Sequence, residues 1–540
     1  MIKTLASIKQ QIEKINEHDK ETGYNITIND FKKSLDLFDG LKKLQQTLTT
    51  QKQKTGKQIA VKQETDQQLV SNFMEWLKNS GFDETKSKVK IGRNLAEGSG
   101  LVSTCDIKEG EEFLEIPEKL FIDIMTALKS FGQSGYDILL RDNLIRRVPN
   151  LVLALYLIKE STNPDSSIAP YLKVLPKTYS TIGYWGIEDF KQLEGSPVFQ
   201  TAVNYTRGSM RQYCYFYQLF DNNPGILQTS NFTYEAFIWA VATVQSRQNP
   251  VGGGQEMALI PFWDFCNHSS HGGKITTFID PVKHVLTCSA AKSYKKGEQV
   301  YMYYGPRPNS QFYLFQGFSL KTNLNDDYSF DMDLDNEDDR DIAHDKIHIL
   351  EERCGLRVGQ TVSLSQNPSS EKLPAEIIPF YRIAALSPEE TKKLAPPQEE
   401  GHHHHHQGPM DMKPEAFNII SEENEKKAFK LLLDSLKARL SGYPTTLAQD
   451  EQEMKNNPTT QRRYVLYILI NEKKILERNI KYVEQLIEKG VMNAELKKIE
   501  FSEEESCGDD HGDHGHSHAG GHNHSHGGHG HSHGGHGHKH

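Results

Sequence analysis

The stretch Ala258-Leu-Ile-Pro-Phe-Trp-Asp-Phe-Cys-Asn-His268 lies between Ser246-Arg-Gln-Asn249 and Tyr303-Tyr-Gly-Pro-Arg-Pro-Asn309, and these three segments are the most informative part of the chain. Strand signals surround them. Lys274-Ile-Thr-Thr-Phe-Ile, His284-Val-Leu-Thr-Cys-Ser and Gly297-Glu-Gln-Val-Tyr-Met-Tyr-Tyr-Gly305 are short β-branched and aromatic runs bounded by turn residues. The last is a nearly continuous Val and Tyr run, so a strand buried on both faces is expected there. Further upstream, Asn94-Leu-Ala-Glu-Gly-Ser-Gly-Leu101 leads to a period-two alternation in Gly110-Glu-Glu-Phe-Leu-Glu-Ile-Pro117, which reads as short strands.

Between about 120 and 245 the apolar spacing is helical, as in Leu151, Ala154, Leu155, Leu157 and Ile158, or Phe237, Ala240, Val241 and Val244. A helical block is thus set inside a β unit. After the acidic stretch Asp331 to Asp341 the chain is expected to be helical to about 500. Ser421 can cap a helix carrying Ala428, Leu431, Leu432, Leu436 and Leu440, with Gly442 as its stop. A second helix carries Tyr464, Leu469, Leu476, Ile480 and Val483, and the two could pack as an antiparallel pair. Residues 1–68 show only weak helical periodicity (Ile8, Ile12, Ile15) and an uncapped polar stretch from Thr47 to Gln68. Helices with a disordered joint are expected there, not a domain.

At 540 residues the chain should hold two or three packed units plus extensions, which excludes a single small binding module. Lys+Arg 62 against Asp+Glu 72 gives a net charge of -10 with no long basic stripe, so nucleic acid is not an expected partner. The longest apolar stretch, around Leu151 to Ile158, is about half of the ~20 residues a spanning helix needs, and the start of the chain has no apolar signal-peptide core. Six cysteines without a CxxC pair fit a reducing compartment; no membrane association and a cytoplasmic, monomeric protein are expected. Of 24 histidines, five run from His402 to His406 and thirteen lie between His511 and His540. The His-rich tail, 501–540, cannot bury a core and is expected to be disordered. Its flexible imidazoles can bind divalent metal weakly without fixed geometry, although a low-complexity expansion explains them more simply.

The Ser246–Asn249, Ala258–His268 and Tyr303–Asn309 segments, together with Glu97-Gly-Ser-Gly-Leu101, resemble the SET-domain methyltransferases that use S-adenosylmethionine. Within them the chain is similar to the branch of the RuBisCO large-subunit lysine methyltransferase, and most similar to that branch's group that methylates a histidine of actin. The resemblance covers roughly residues 70 to 490. It implies an α+β chain: a SET-domain β fold over 69–320 with a helical insert at about 120–245, then an all-α substrate-binding domain over 321–500. S-adenosylmethionine is the implied cofactor and actin the implied protein partner.

The implied cofactor contacts are Glu97, Gly98 and Ser99 in the first turn, then Arg247, Asp264, Phe265, Cys266, Asn267, His268, Gln316 and Phe318. A Gly-x-Gly alone is usually just a hairpin, and a lone histidine is usually a satisfied core residue; the flanking match is what favours contact. Methyl transfer by in-line displacement asks the protein mainly to hold the reacting atoms in line and exclude water. Tyr304 is the catalytic candidate, because its hydroxyl is implied to lie beside the transferring methyl, where a polarised C–H can bond weakly to oxygen.

The acceptor decides the substrate class. A lysine amine, near ~10.4, must lose a proton before attack, whereas imidazole, near ~6.5, is already mostly neutral and needs orientation instead. A side-chain amide oxygen can fix the imidazole tautomer, and the resemblance assigns that role to Asn249, with Trp263 as the bulky wall of the pocket and Arg307 as a substrate contact. Asn249 before Pro250 also reads as a turn, Trp263 as core packing, and Arg307 as an ordinary surface residue. The chain departs from the family pattern in three places. No arginine precedes Arg93 to meet the cofactor's carboxylate, Ser99 stands where the family has an aromatic residue, and the Pro250 to Met257 loop is short. The alternatives are a lysine methyltransferase of the same branch and a non-catalytic metal-binding protein that retains the fold.

Overall fold

The computed structural model describes residues 2–22, 26–55, 64–254, 256–270, 274, 276–334, 339–366, 373–395, 412–413, 416 and 418–489. The expectations for His402 to His406 and for the tail from 501 lie outside the described residues. Three helices open the chain: α1 (Ile2–Thr22), α2 (Ile28–Thr55) and α3 (Asp66–Asn79). A disordered joint was expected from Thr47, yet α2 continues to Thr55. Tertiary contacts supply what its polar sequence lacks. Leu48 is buried, Gln45 donates to the Tyr213 hydroxyl at 2.6 Å and accepts from the Tyr234 amide, and Lys52 donates to the Ser230 carbonyl. Asp19 of α1 pairs with Arg207 and Arg211, so the first two helices brace the helical insert.

The β part is assembled from short strands: β1 (Val89–Leu95), β2 (Gly98–Ser103), β3 (Glu112–Pro117), β4 (Ile122–Asp123), β5 (Gln248–Val251), β6 (Glu256–Leu259), β7 (Asn267–His268), β8 (Thr277–Asp280), β9 (Val285–Ser289) and β10 (Gln299–Met302). They form sheets of order β1-β2-β10-β7, β3-β9-β8 and β4-β6-β5. β10 pairs antiparallel with β2 and parallel with β7, so residues from 98 to 302 meet in one sheet. The expectation that this last strand is buried on both faces is corrected: Val300 is fully buried, but Gln299, Tyr301 and Met302 are only half-buried, and the strand ends before Tyr303. Tyrosines bury their rings while leaving their polar tips near solvent, so a Val and Tyr run does not require two covered faces.

Between β4 and β5 lies the helical insert. Leu151–Ser161 is buried on every side from Leu151 to Ile158, which makes it the central helix of the main core. Pro197–Asn222 starts at a Ser196 cap with proline in its first turn. Tyr234–Arg247 is capped by Thr233, whose side chain accepts from the Ala236 amide, and runs straight into β5. That join delivers Arg247, Gln248 and Asn249 to the sheet edge.

A second core holds the C-terminal part. Ser421 caps the helix Glu422–Ser441, Gly442 follows it, and Thr460–Lys489 packs against it, as the spacing predicts. An antiparallel pair of strands, β11 (Asp327–Met332) and β12 (Gln360–Ser365), and a further helix Leu447–Lys455 join this otherwise helical unit. Arg382 and Glu425, exposed by 1% and 2%, form a bidentate pair at 2.7 and 2.8 Å. Removing one member of such a pair leaves a buried charge without a partner. Arg382→Met is therefore expected to destabilise the C-terminal unit by about 3–5 kcal/mol in urea unfolding, whereas Arg382→Met with Glu425→Leu should recover most of that loss. Equal destabilisation by the single and double variants would contradict this reading.

Candidate functional site

The β1–β2 hairpin places Glu97-Gly98-Ser99-Gly100 at its tip. Gly98 has φ +92, where side chains other than glycine are strained, and nothing lies within 4 Å of the place a Cβ would occupy. The tip is therefore an open, backbone-lined turn. Gly100 is constrained differently: an added Cβ would sit 2.9 Å from Asn267 Nδ2 and 2.9 Å from Leu95 Cδ1. That closeness lets Asn267 Nδ2 donate to the Ser99 carbonyl at 2.8 Å, which joins β7 to the turn. Gln299 of β10 donates to Glu97 at 3.1 Å.

The turn after β10 carries Tyr304. Its hydroxyl donates to the Cys266 carbonyl at 2.9 Å, and its amide donates to His268 Nδ1 at 3.1 Å. Because Nδ1 accepts, a neutral His268 carries its proton on Nε2. Burial pushes the Tyr304 phenol above its ordinary range, so it is neutral at physiological pH and its oxygen keeps lone pairs free for a weak acceptor role. Burial likewise pushes the Cys266 and Cys288 thiols up, so neither is a nucleophile. The His268 ring packs against Phe312 at 4.8 Å and Phe318 at 6.0 Å, and these two stack on each other. Tyr304, Asn267, His268, Cys266, Phe318 and the Glu97–Ser99 turn thus come together.

Arg247, Asp264 and Phe265 form a second group. Arg247 Nη1 donates to the Asp264 carbonyl at 2.9 Å and lies 3.4 Å from its carboxylate, which also accepts from the Tyr171 hydroxyl at 2.6 Å. Burial raises the Asp264 carboxyl, while Arg247 and Tyr171 work against that rise. Arg247 Nε and Asp264 Oδ1 are buried without a hydrogen-bond partner. Buried polar atoms are normally satisfied, so this group fits a zwitterionic ligand.

Asn249 lies on β5, half-buried and paired across to Ala258, not in a turn. Its Nδ2 donates to the Arg247 carbonyl at 3.0 Å, and because a carbonyl can only accept, the amide orientation is set and Oδ1 is the atom left to accept. Neighbouring Gln248 accepts from Asn150 at 3.1 Å, a contact with no local sequence signal. Arg307 sits beside Tyr304: burial lowers its pKa and the tyrosine counters this. In the amide orientation that satisfies its neighbours, Gln316 accepts from Arg307 Nη1 at 3.0 Å and donates to the Gln311 carbonyl at 3.1 Å. Gln316 is thus held between Arg307 and Gln311. Asn323 Nδ2 holds the Arg307 carbonyl at 2.9 Å, and Asp326 accepts from the Asn309 amide and from Asn471 at 2.6 Å each.

Trp263 is 1% exposed and packs in the main core, with its ring 6.3 Å from Phe113. The cause is a reversal at Phe262, whose φ of 78 and ψ of -50 resemble a strained three-residue turn and send both aromatic side chains inward. The sequence reading also missed Tyr171, whose carboxylate partner is 93 residues away. Among the described residues, no group of three or more His, Cys, Asp or Glu side chains could hold a metal ion, and no helix is long and apolar enough to cross a membrane.

Comparisons with known proteins agree with this arrangement. A SET domain model matches residues 98–305, and a Rubisco LSMT substrate-binding model matches residues 337–476. The actin-histidine N-methyltransferase of Dasypus novemcinctus is 30% identical over 418 residues, covering 76% of this chain and 68% of that protein. The Homo sapiens protein of the same name is 29% identical over 458 residues, covering 81% of this chain and 73% of its own length. Among solved structures, Rubisco LSMT bound to AdoMet superposes with a TM-score of 0.61 at 23% identity, over 81% of this chain and 97% of that one. The SET domain of LSMT bound to lysine and AdoHcy gives 0.61 at 22% identity, over 80% and 95%. At these identities the two structures speak for the fold alone. Through its relatives and its two matched domains, the chain belongs to the actin-histidine N-methyltransferase family of SET-domain proteins.

Proposed function

We propose that this chain is an S-adenosylmethionine-dependent protein-histidine N-methyltransferase and that actin is its substrate. The observation that carries the histidine reading is the Asn249 amide, oriented by the Arg247 carbonyl so that Oδ1 is the available acceptor. An imidazole whose N–H is held by that oxygen presents its other nitrogen, with its lone pair, for attack. A lysine ammonium would gain nothing comparable, since it must first lose a proton. The relatives named for actin-histidine methylation support the same acceptor and partner.

Glu97, Gly98, Ser99, Arg247, Asp264, Phe265, Cys266, Asn267, His268 and Phe318 would hold the cofactor, which supplies an electrophilic sulfonium methyl when bound. The protein's own contribution is positioning. Tyr304 offers a neutral phenol oxygen, fixed by its bond to the Cys266 carbonyl, toward polarised C–H groups. Arg307 and Gln316 form the acceptor-side rim, and Trp263 backs the segment that carries Asp264 to His268. The product is a methylated imidazole, and the proton it sheds leaves to solvent. The C-terminal helices are proposed to dock the folded substrate, and the five free cysteines of the described residues support a reducing, cytoplasmic setting.

Three outcomes test this. Replacing Asn249 with Leu should lower kcat/KM on actin by about 10- to 100-fold, the worth of one hydrogen bond to a group gaining charge. S-adenosylhomocysteine binding, followed by calorimetry, should be unchanged; an unaltered rate would favour a lysine acceptor. Tyr304→Phe should reduce kcat by about tenfold at unchanged actin KM, since it removes a weak transition-state contact and leaves the Cys266 carbonyl unpaired. The rate should rise with pH through about 6.5 and then level off above about 7.5 as the acceptor imidazole becomes neutral, with no tyrosine limb below pH 10. A rate still climbing toward pH 10 would contradict a histidine acceptor.

A further inference from the structure

Arg93 stands on β1 just after the Gly92–Gly100 pair, in the irregular part of the hairpin where the register shifts before Leu95 meets Gly98. Its Nη1 donates to Ser99 Oγ at 2.6 Å. Ser99 is thereby held twice, its side chain by Arg93 and its carbonyl by Asn267. The guanidinium carbon of Arg93 lies 5.7 Å from the centre of the Phe265 ring, and that of Arg247 lies 5.3 Å from the same ring. Two cations therefore converge on one aromatic ring, next to the turn proposed to hold the cofactor.

The two arginines are not equivalent. Arg247 is 13% exposed and already engaged with the Asp264 carbonyl and carboxylate. Arg93 is 24% exposed, and its nearest carboxylate, Asp66, is 3.4 Å away but 64% exposed, where water screens the pair. The Nε of each arginine is buried and makes no hydrogen bond. Two guanidinium groups at one ring, each with a buried Nε that makes no hydrogen bond, suit an anion that accepts from both.

We propose that Arg93 is a direct ligand of the cofactor's carboxylate, held in place by Ser99 and acting beside Arg247. The proposal rests on the cofactor reading above and deepens it. It gives two of the three departures in this sequence a single explanation. The arginine missing upstream is replaced by one from the hairpin itself, and the small Ser99 both leaves room for it and anchors it.

The test compares two ligands that differ at this point. S-adenosylhomocysteine carries the carboxylate, whereas 5′-methylthioadenosine keeps the nucleoside and thioether but lacks the amino-acid end. Calorimetric affinities are measured for the full-length protein and for its Arg93→Gln and Arg93→Lys variants. The proposal predicts that Arg93→Gln weakens S-adenosylhomocysteine by about 10- to 100-fold, in the range of a charge-assisted pair. Methylthioadenosine should bind as tightly as before, with Arg93→Lys intermediate. Equal weakening of both ligands, or of neither, in a variant whose unfolding midpoint matches the unaltered protein would overturn it, and Arg93→Lys gives the reading if Arg93→Gln folds poorly. If the unaltered protein bound neither ligand, the cofactor reading itself would fail along with the clamp.

Discussion

The site depends on one close crossing, in which Asn267 Nδ2 donates to the Ser99 carbonyl across the side-chain-free face of Gly100. That bond joins β7 to the β1–β2 tip, and β10 lies between the two as their shared partner. Because β10 pairs in opposite senses with β2 and β7, the chain must pass Cys266 to His268 beside the segment that carries Tyr304. The two bonds from Tyr304, hydroxyl to the Cys266 carbonyl and amide to His268 Nδ1, each tie a side chain to backbone placed by that crossing. A geometry set by strands is more precise than one set by loops, which suits a reaction whose main demand is alignment.

The remaining architecture delivers residues to that crossing. The helix Tyr234–Arg247 ends at β5, so the main core fixes where Arg247 and Asn249 stand. Gln45 of α2 receives the Tyr234 amide at the other end of the same helix, so the N-terminal pair reaches the site through a rigid rod. From the opposite side, Asn471 of the long C-terminal helix donates to Asp326, which also grips Asn309, two residues beyond Arg307. Burial pushes the Asp326 carboxyl up to about 6, a sign of how little water enters this joint. The substrate-binding unit and the loop behind Tyr304 therefore share a hydrogen-bonded seam.

Much of this was legible in the sequence where the signal is local. Gly98 and Gly100 mark a tight hairpin, Asn267-His268 and Tyr304 stand in short motifs, and the Ser421 cap and leucine spacing define a helix from end to end. What failed was local evidence for non-local facts. The depth at which Trp263 is buried has no local signal, because nothing in its neighbours reveals the reversal at Phe262. The continuity of α2 past Thr47 depends on Tyr213, Ser230 and Tyr234, each more than 160 residues away. β11 and β12 escaped notice because neither is stable without the other, and 27 residues separate them. Arg93 is an intermediate case, since its bond to Ser99 spans a register shift in the hairpin that only the structure reveals.

The most direct test of the account is to locate the methyl group. Purified actin is incubated with the full-length protein and S-adenosylmethionine carrying an isotopically labelled methyl, then digested and sequenced by mass spectrometry. The account predicts label on a single histidine, on one imidazole nitrogen. Label confined to lysine would contradict the role given to Asn249, and no label on actin, from protein that binds the cofactor, would contradict the assigned substrate.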